Sequence, residues 1–226
     1  STESHLTANT ARSGGAIFNN LDPSVTNPVA APNLTLIRST LSANVASINS
    51  GGLANLRGSA ELINSTLSGN TATFDGGGVW NASAMRLSLL SNTITDNTSS
   101  RGGGLFNAGN FEFANTILAA NHGATGSDGF TSSGSVTSLG HNLIGNNDQF
   151  PFTSTTGDQV GTPDDVKDPR LASLALADSS VPVHLLNSES PALDAASETD
   201  SPITDQRGIH RPQDGDTLPG GAKPDI

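Results

Sequence analysis

Gly76-Gly77-Gly78-Val79-Trp80-Asn81 decides the fold, because the same pattern stands 26 residues away on both sides of it. It returns downstream as Gly102-Gly103-Gly104-Leu105-Phe106-Asn107 and stands upstream as Ser50-Gly51-Gly52-Leu53-Ala54-Asn55. A second motif keeps nearly the same interval, as Ser39-Thr40-Leu41-Ser42, Ser65-Thr66-Leu67-Ser68 and Asn92-Thr93-Ile94-Thr95. A fixed period carried by short β-branched runs and Gly pairs is typical of a solenoid that winds one coil per repeat. We therefore predict an all-β, right-handed parallel β-helix with about 26 residues per coil.

The composition of the chain changes at about residue 148. Residues 1–147 carry the repeats and are predicted to form the β-helix coils, while the Pro- and Asp-rich residues 148–226 are predicted to form an irregular C-terminal continuation and cap. Residues 4–9 match the middle of a repeat, so we expect the array to be truncated at its N-terminus and to belong to a larger protein. The Pro-rich residues 22–32 lengthen one coil, and we expect them to form a loop that binds a partner.

The composition limits the partners. The chain has 10 Lys and Arg against 21 Asp and Glu, a formal net charge of −11, which repels phosphate backbones. We therefore expect no nucleic acid as a partner. The absence of cysteine excludes disulfides and cysteine-based metal sites. No apolar stretch approaches the roughly 20 residues needed to cross a bilayer, so no membrane-spanning segment is predicted.

Two kinds of residue that recur along the coils are assigned structural roles. Asn44, Asn70 and Asn97 are predicted to form a ladder in which each amide bonds to its copy one coil away. Gly77 and Gly103 are predicted to supply the positive φ that turns one strand into the next.

Two columns follow from the alternation of apolar and polar residues. An inward aliphatic ladder is predicted from Leu41, Leu67, Ile94 and Ile117. An outward hydroxyl ladder is predicted from Thr40, Ser42, Thr66, Ser68, Thr93 and Thr95. Such a hydroxyl ladder either orders water or is the ordinary solvent-exposed face of a strand, and we favour the second interpretation.

Trp80 and Phe106 occupy the same position in adjacent coils and are the candidate ligand-binding residues. If they point outward they form a stacked aromatic strip that suits sugar rings, and if they point inward they fill the core. The sequence leaves both orientations open.

The acidic stretch after residue 157 is the candidate for chemistry. A lyase acting on uronates needs a cation, usually calcium on several aspartates, and a basic residue beside it. Asp158, Asp164, Asp165 and Asp168 would hold the calcium ion, and Asp164, Asp165 and Arg170 would be catalytic. The alternative is a solvated acidic loop, which we favour.

The C-terminal block resembles a known family in four stretches: Asp168-Pro169-Arg170-Leu171, Val183-His184-Leu185-Leu186, Ser190-Pro191-Ala192-Leu193-Asp194-Ala195, and Thr204-Asp205-Gln206-Arg207-Gly208-Ile209-His210-Arg211-Pro212. They resemble the block that closes bacterial right-handed parallel β-helix proteins described as choice-of-anchor Q proteins. The Gly-Gly and Asn repeats are similar to those of polymorphic outer-membrane proteins. The resemblance implies an extracellular or cell-surface location.

The charged residues of this block have a structural role available. Arg207 and Arg211 can each fork onto a carboxylate such as that of Asp194 or Asp205, which would fix an irregular chain after strand pairing has ended.

From these observations we predict a structural or adhesive module of the bacterial cell surface or the extracellular space, without catalysis of its own. Its partner would be a glycan or a protein, and its open coil ends would allow end-to-end self-association. Two alternatives stay open, a polysaccharide-degrading lyase or glycoside hydrolase and a glycan-binding module. No cofactor is predicted apart from the calcium ion of the first alternative.

Overall fold

The computed structural model of the chain describes residues 2–20, 33–83, 85–211 and 223–226. All named elements in this part of the chain are β-strands, and they stack in parallel as four sheets. The chain passes through the four sheets in turn, so that about four coils lie roughly 26 residues apart. The prediction of an all-β parallel β-helix is therefore confirmed. The Pro-rich residues 22–32 lie outside the described residues.

The first sheet is the longest and carries the Ser/Thr-Leu motif. Its seven parallel strands lie in chain order, namely His5–Thr7, Thr40–Ser42, Thr66–Ser68, Thr93–Thr95, Ile117–Leu118, Leu143–Ile144 and Gln159–Val160. The last of these strands pairs with Leu143–Ile144, so strand stacking continues beyond residue 147.

The other three sheets have five strands each. The second contains Thr10–Ala11, Val45–Ala46, Thr71–Ala72, Thr98–Arg101 and His122–Thr125. The third, which follows the Gly-Gly motif, contains Ile17–Asn19, Leu53–Asn55, Val79–Asn81, Leu105–Asn107 and Gly129–Thr131. The fourth contains Asn33–Ile37, Ser59–Ile63, Arg86–Leu90, Asn110–Ala114 and Ser135–Gly140.

The core is a narrow column of aliphatic side chains. In the first sheet the inward register runs through Leu6, Leu41, Leu67, Ile94, Leu118, Ile144 and Val160. Ile117 was predicted to belong to this ladder and does not, because Ile94 pairs with Leu118 and Thr93 pairs with Ile117. The coil between those pairs is shorter than its neighbours, and Ile117 packs in a separate cluster from the inward column.

Phenylalanines fill the bore in its last coils. Phe111 and Phe113 stack with ring centroids 4.9 Å apart, and Phe150, which is fully buried, lies 6.2 Å from each of them. Phe152 adds an edge-on contact to Phe113 at 5.4 Å. The segment that begins near residue 148 thus adds phenylalanine rings to the core where the solenoid ends. Burying each ring contributes roughly 1.5–3 kcal/mol to the stability of the fold.

The Gly pairs permit a close approach between coils. The positive φ at this corner belongs to Gly76 (61°) and Gly102 (63°), one residue before the predicted Gly77 and Gly103. At Gly77 an added Cβ would lie 2.5 Å from both the Gly103 and Thr98 carbonyl oxygens. A side chain has no room there, so Gly77 is required by packing and the positive φ predicted for it is wrong.

Residues 168–211 and 223–226, here called the clasp, lie across the outer face of the first sheet. Thr40 Oγ1 donates to the Pro182 carbonyl oxygen at 2.7 Å, and Thr66 Oγ1 donates to Gln206 Oε1 at 2.7 Å. Thr40 is 0% exposed and Thr66 is 2% exposed. The hydroxyl ladder is therefore covered by protein, and its interpretation as a solvent-exposed face is wrong.

The outer face of the first sheet becomes apolar in its later coils. Ile117, Ala119 and Leu143 replace the hydroxyl residues there and form a second buried cluster with clasp residues Ala192, Ala196 and Ile226. The change from hydroxyl to apolar residues along this face matches the composition of the clasp. The clasp presents hydrogen-bonding groups to the coils that carry Ser and Thr, and methyl groups to the coils that carry Ile117, Ala119 and Leu143.

Candidate functional site

The first asparagine ladder runs through the interior of the solenoid. Asn44, Asn70 and Asn97 are each 0% exposed, and each donates its Nδ2 to the Oδ1 of the next ladder residue at 2.9 Å. Each Oδ1 also accepts the backbone N–H of the preceding ladder residue, as Asn70 Oδ1 does from Asn44 N at 3.1 Å. The ladder thus satisfies backbone and amide groups that are buried at a corner.

The ladder ends on a carboxylate. Asn121 follows Asn97 and donates its N and Nδ2 to Asp128 Oδ1 at 2.8 and 3.0 Å, while Asp128 Oδ2 accepts from Asn146 N at 2.7 Å. The residue at the end of the ladder only has to accept hydrogen bonds, and an ionised carboxyl group is an acceptor at both of its oxygens. Burial raises the pKa of Asp128, and the hydrogen bonds from Asn121 and Asn146 oppose that rise.

Two further polar ladders were not predicted from the sequence. One joins Asn19, Asn55, Asn81 and Asn107 through amide contacts of 2.8–2.9 Å. Its signal was the asparagine that ends each Gly-Gly motif. The other passes through Ser39, Ser65, Asn92, Thr116 and Asn142 and changes residue type from coil to coil, which hides it from a repeat search.

Asp158, a predicted calcium ligand, terminates the last of these ladders. Its Oδ1 accepts from Asn142 N and Nδ2 at 2.9 and 3.0 Å. Its Oδ2 accepts from Ser138 Oγ at 2.7 Å and from Thr155 N at 2.8 Å. Both carboxylate oxygens are therefore engaged in holding the chain together.

The remaining residues of the acidic stretch lie on the surface. Asp164, Asp165, Asp168 and Arg170 are all exposed. Lys167 Nζ lies 3.3 Å from Asp165 Oδ2, and the Arg170 guanidinium pairs with Glu189. In the described part of the chain, no three His, Cys, Asp or Glu side chains assemble as a metal-binding group.

Trp80 and Phe106 project from the outer face of the third sheet. Val79, Asn81 and Leu105 beside them are 0% exposed, so the alternation of the strand turns the two aromatic side chains outward. They lie in register with Phe18, Ala54 and Phe130. We call the set Phe18, Trp80, Phe106 and Phe130 the aromatic column.

An ion pair flanks the aromatic column. Arg101 donates Nε to Asp75 Oδ1 at 2.8 Å and Nη2 to Asp75 Oδ2 at 3.0 Å, a bidentate arrangement. The Arg101 guanidinium lies 5.0 Å from the Phe106 ring centroid and 5.6 Å from that of Phe130. Phe106 is only 5% exposed, whereas Trp80 is partly exposed and Phe18 is 48% exposed. Trp80 is therefore the accessible centre of the column.

The charged residues of the clasp have different bonding partners. Arg207 forms an ion pair with Asp205, in which Nε and Nη2 each lie 2.7 Å from Oδ2, and Arg211 donates to Asn64 Oδ1 at 3.0 Å. Asp194 accepts the backbone N–H of Lys223 at 3.1 Å, and neither arginine forms an ion pair with it. Asp205 thus orders the clasp through Arg207, while Arg211 ties the clasp to a coil.

Between the clasp and the first sheet lies a partly open cavity of about 330 Å³. Its lining includes Ser91, Thr93, Arg211, Asp225, Leu193 and Ile226. Burial lowers the pKa of the Arg211 guanidinium, opposed by the nearby Asp205 and Asp225 carboxylates. Burial raises the pKa of Asp225, opposed by the backbone N–H of Asp194.

The fold and its ladders define the protein as a parallel β-solenoid. No protein-family model, curated protein or solved structure matches the chain. No helix in the described residues is long and apolar enough to span a membrane.

Proposed function

We propose that this protein is a structural or adhesive module of the extracellular space or of a bacterial cell surface, and that it contacts a glycan through the aromatic column. The observation that carries the proposal is the outward, partly exposed Trp80 in register with Phe106 and Phe130. The resemblance of the C-terminal block to choice-of-anchor Q proteins supports the location.

The geometry of the aromatic column suits a carbohydrate chain. Neighbouring strands lie about 4.8 Å apart, so Trp80, Phe106 and Phe130 extend over roughly 10 Å along the solenoid axis. The apolar face of an indole ring packs against the C–H face of a pyranose. The Arg101–Asp75 pair, whose guanidinium lies over Phe106 and Phe130, offers groups that bond to sugar hydroxyls.

The internal ladders support a scaffold role. Polar residues that recur along the coils bond to their ladder neighbours and to buried backbone groups: Asn70 donates to Asn97, Asn81 donates to Asn107, and Asn92 donates to the Leu62 carbonyl oxygen. The polysaccharide-cleaving alternative relies on Asp164, Asp165 and Arg170, of which the last two are engaged in exposed ion pairs. Calcium binding and end-to-end self-association stay predictions.

Retention on immobilised polysaccharides tests the proposal. A panel of neutral and uronate polysaccharides is compared for the protein, for Trp80→Ala and for Phe74→Ala, which removes an aromatic ring that is 54% exposed outside the column. We expect at least one polysaccharide to retain the protein and the Phe74 variant, and to release the Trp80 variant. Retention that is equal for all three proteins contradicts the proposed binding face, as does no retention of the unmodified protein.

Incubation of the same panel with the protein and calcium tests the enzymatic alternative. We expect the polysaccharide size distribution to be unchanged. Shortened chains whose appearance depends on Asp164, Asp165 and Arg170 would replace the adhesive proposal by catalysis.

A further inference from the structure

Residues at one corner of the coils form a column that holds the clasp. Arg38, Asn64, Ser91, Asn115 and His141 each begin the turn before a strand of the first sheet, and each has a positive φ between 47° and 57°. The backbone N–H groups of the first four donate to the last residue of the neighbouring coil's fourth-sheet strand, as Ser91 N does to the Ala114 carbonyl oxygen at 3.0 Å, and His141 N donates to the Thr156 carbonyl oxygen at 2.9 Å. They are therefore equivalent positions in successive coils.

Three of these side chains bond directly to the clasp. Asn64 Nδ2 donates to the Thr204 carbonyl oxygen at 2.8 Å, and Asn115 Oδ1 accepts from Ser197 N at 2.9 Å. His141 Nδ1 lies 2.8 Å from the Ala195 carbonyl oxygen. The clasp thus follows the column from its later coils toward its earlier ones.

Ser91 departs from this pattern. Its side chain is too short to repeat the contact made by Asn64 and Asn115. Ser91 is only 7% exposed, and its Oγ is buried without a hydrogen-bond partner among the described residues. Ser91 lines the cavity of about 330 Å³ beneath the clasp. A buried hydroxyl without a hydrogen bond destabilises the folded protein unless a ligand or water bonds to it.

The polar groups of the cavity are balanced in charge. Two cations, Arg207 and Arg211, and two carboxylates, Asp205 and Asp225, line it. Arg207 is paired with Asp205, whereas Arg211 belongs to no ion pair between described residues. A guanidinium has five N–H donors, and within the described part of the chain the Arg211 guanidinium uses one of them in its bond to Asn64 Oδ1.

The cavity also has an apolar wall, formed by Val183, Leu186, Leu193 and Ile226. Its volume lies at the lower end of the range for small-molecule sites, roughly 300–1,000 Å³. A matching ligand is neutral and small, has one apolar face, and carries several hydroxyls that both donate and accept. A pyranose has these properties, because its hydroxyls can accept from Arg211 and Ser91 and donate to Asp225.

We infer that the cavity beneath the clasp binds one neutral monosaccharide unit, with Ser91 and Arg211 as donors and Asp225 as an acceptor. This site is separate from the aromatic column, which lies on the third sheet. A monosaccharide has about twelve heavy atoms. With the binding free energy per heavy atom that is usual for small ligands, it binds with a Kd on the order of 1 mM.

Ligand-observed NMR with free glucose, galactose, N-acetylglucosamine and glucuronate tests the inference. Ser91→Asn restores the amide that Asn64 and Asn115 carry, and it fills the space next to the clasp without disturbing the fold. Ser88→Asn is the matched control, because Ser88 lies in the same coil on the outer face of the fourth sheet. We expect a neutral sugar to bind the protein and Ser88→Asn, and to bind Ser91→Asn at least about tenfold more weakly.

Three results would overturn the inference: no sugar bound at about ten times the expected Kd, equal binding to Ser91→Asn, or a tenfold preference for glucuronate. Trp80→Ala separates the two proposals. It is expected to leave monosaccharide binding in the cavity unchanged while it abolishes retention on polysaccharides, so either site can fail alone.

Discussion

Replacing Asn70 by alanine should remove the centre of the first asparagine ladder. Asn70 is 0% exposed and takes part in four side-chain hydrogen bonds. Its Oδ1 accepts two of them, from the backbone N of Asn44 at 3.1 Å and from Asn44 Nδ2 at 2.9 Å. The variant therefore leaves two donors of Asn44 without an acceptor at a position that water does not reach, since Asn44 is also 0% exposed.

The size of the effect follows from these two donors. A buried donor that loses its partner costs roughly 1–3 kcal/mol, so the free energy of unfolding should fall by about 2–6 kcal/mol. Domains of this size are stable by about 5–15 kcal/mol, so the loss is a large fraction of the total.

Urea unfolding monitored by circular dichroism measures the change, with the slope compared between variants to check that the same surface unfolds. Asn110→Ala is the control, because Asn110 is exposed and, among the described residues, its side chain bonds only to Ser135 Oγ at 3.1 Å. We expect the control to lie within about 0.5 kcal/mol of the unmodified protein. If Asn70→Ala is equally close to the unmodified protein, the ladder does not stabilise the solenoid and the reasoning is refuted.

Three further changes test other parts of the structure. Gly77→Ala places a Cβ 2.5 Å from two carbonyl oxygens and should lower the free energy of unfolding by about 3 kcal/mol or more. Gly69→Ala is the control, because the nearest atom to its added Cβ is 3.9 Å away, and it should lower the free energy of unfolding by about 1 kcal/mol. Equal losses for the two variants would contradict the packing argument. Ile117→Thr should lower it by about 1–3 kcal/mol, because Ile117 packs against the clasp, and an unchanged value would show that the clasp is not seated there. Burial raises the folded-state pKa of Asp128 above 3.8, so the folded state binds more protons just above that pH and this residue's contribution to stability falls as the pH rises. The free energy of unfolding of the protein minus that of Asp128→Asn should therefore be larger at about pH 3 than at pH 7, and a pH-independent difference would contradict the raised pKa.

The repeat could be predicted from the sequence because each coil repeats a local pattern. Leu41, Leu67 and Ile94 lie on one inward register, and the strands that follow the Gly-Gly pairs lie in one sheet. The prediction placed the inward residue of this coil one position too early, at Ile117, whereas Leu118 pairs with Ile94. The error arose because Asn115-Thr116-Ile117 is similar to Asn92-Thr93-Ile94, although the coil between them is shorter than its neighbours. A one-residue slip in a strand turns its side chains to the other face, which is why Ile117 faces the clasp.

The clasp could not be predicted from periodicity. Its contacts join residues far apart in the chain, such as Thr66 with Gln206 and Ser68 with His184. Some of its partners are side chains and others are backbone groups, such as the Pro182 carbonyl oxygen. The sequence indicated outward hydroxyls but held no signal for what covers them. The orientation of Trp80 was open for a related reason, since it depends on which neighbours enter the ladder and the core.

Methyl NMR tests the central claim, that the clasp seals the outer face of the first sheet. We predict nuclear Overhauser contacts between the methyl groups of Ile117 or Leu143 and those of Ala192 or Ala196, which belong to one buried cluster. Such contacts arise only between protons within about 5–6 Å, which is the scale of side chains packed in van der Waals contact. If assigned methyl spectra show none between the two segments, the clasp does not cover this face, and both the buried hydroxyl ladder and the cavity at Ser91 lose their basis.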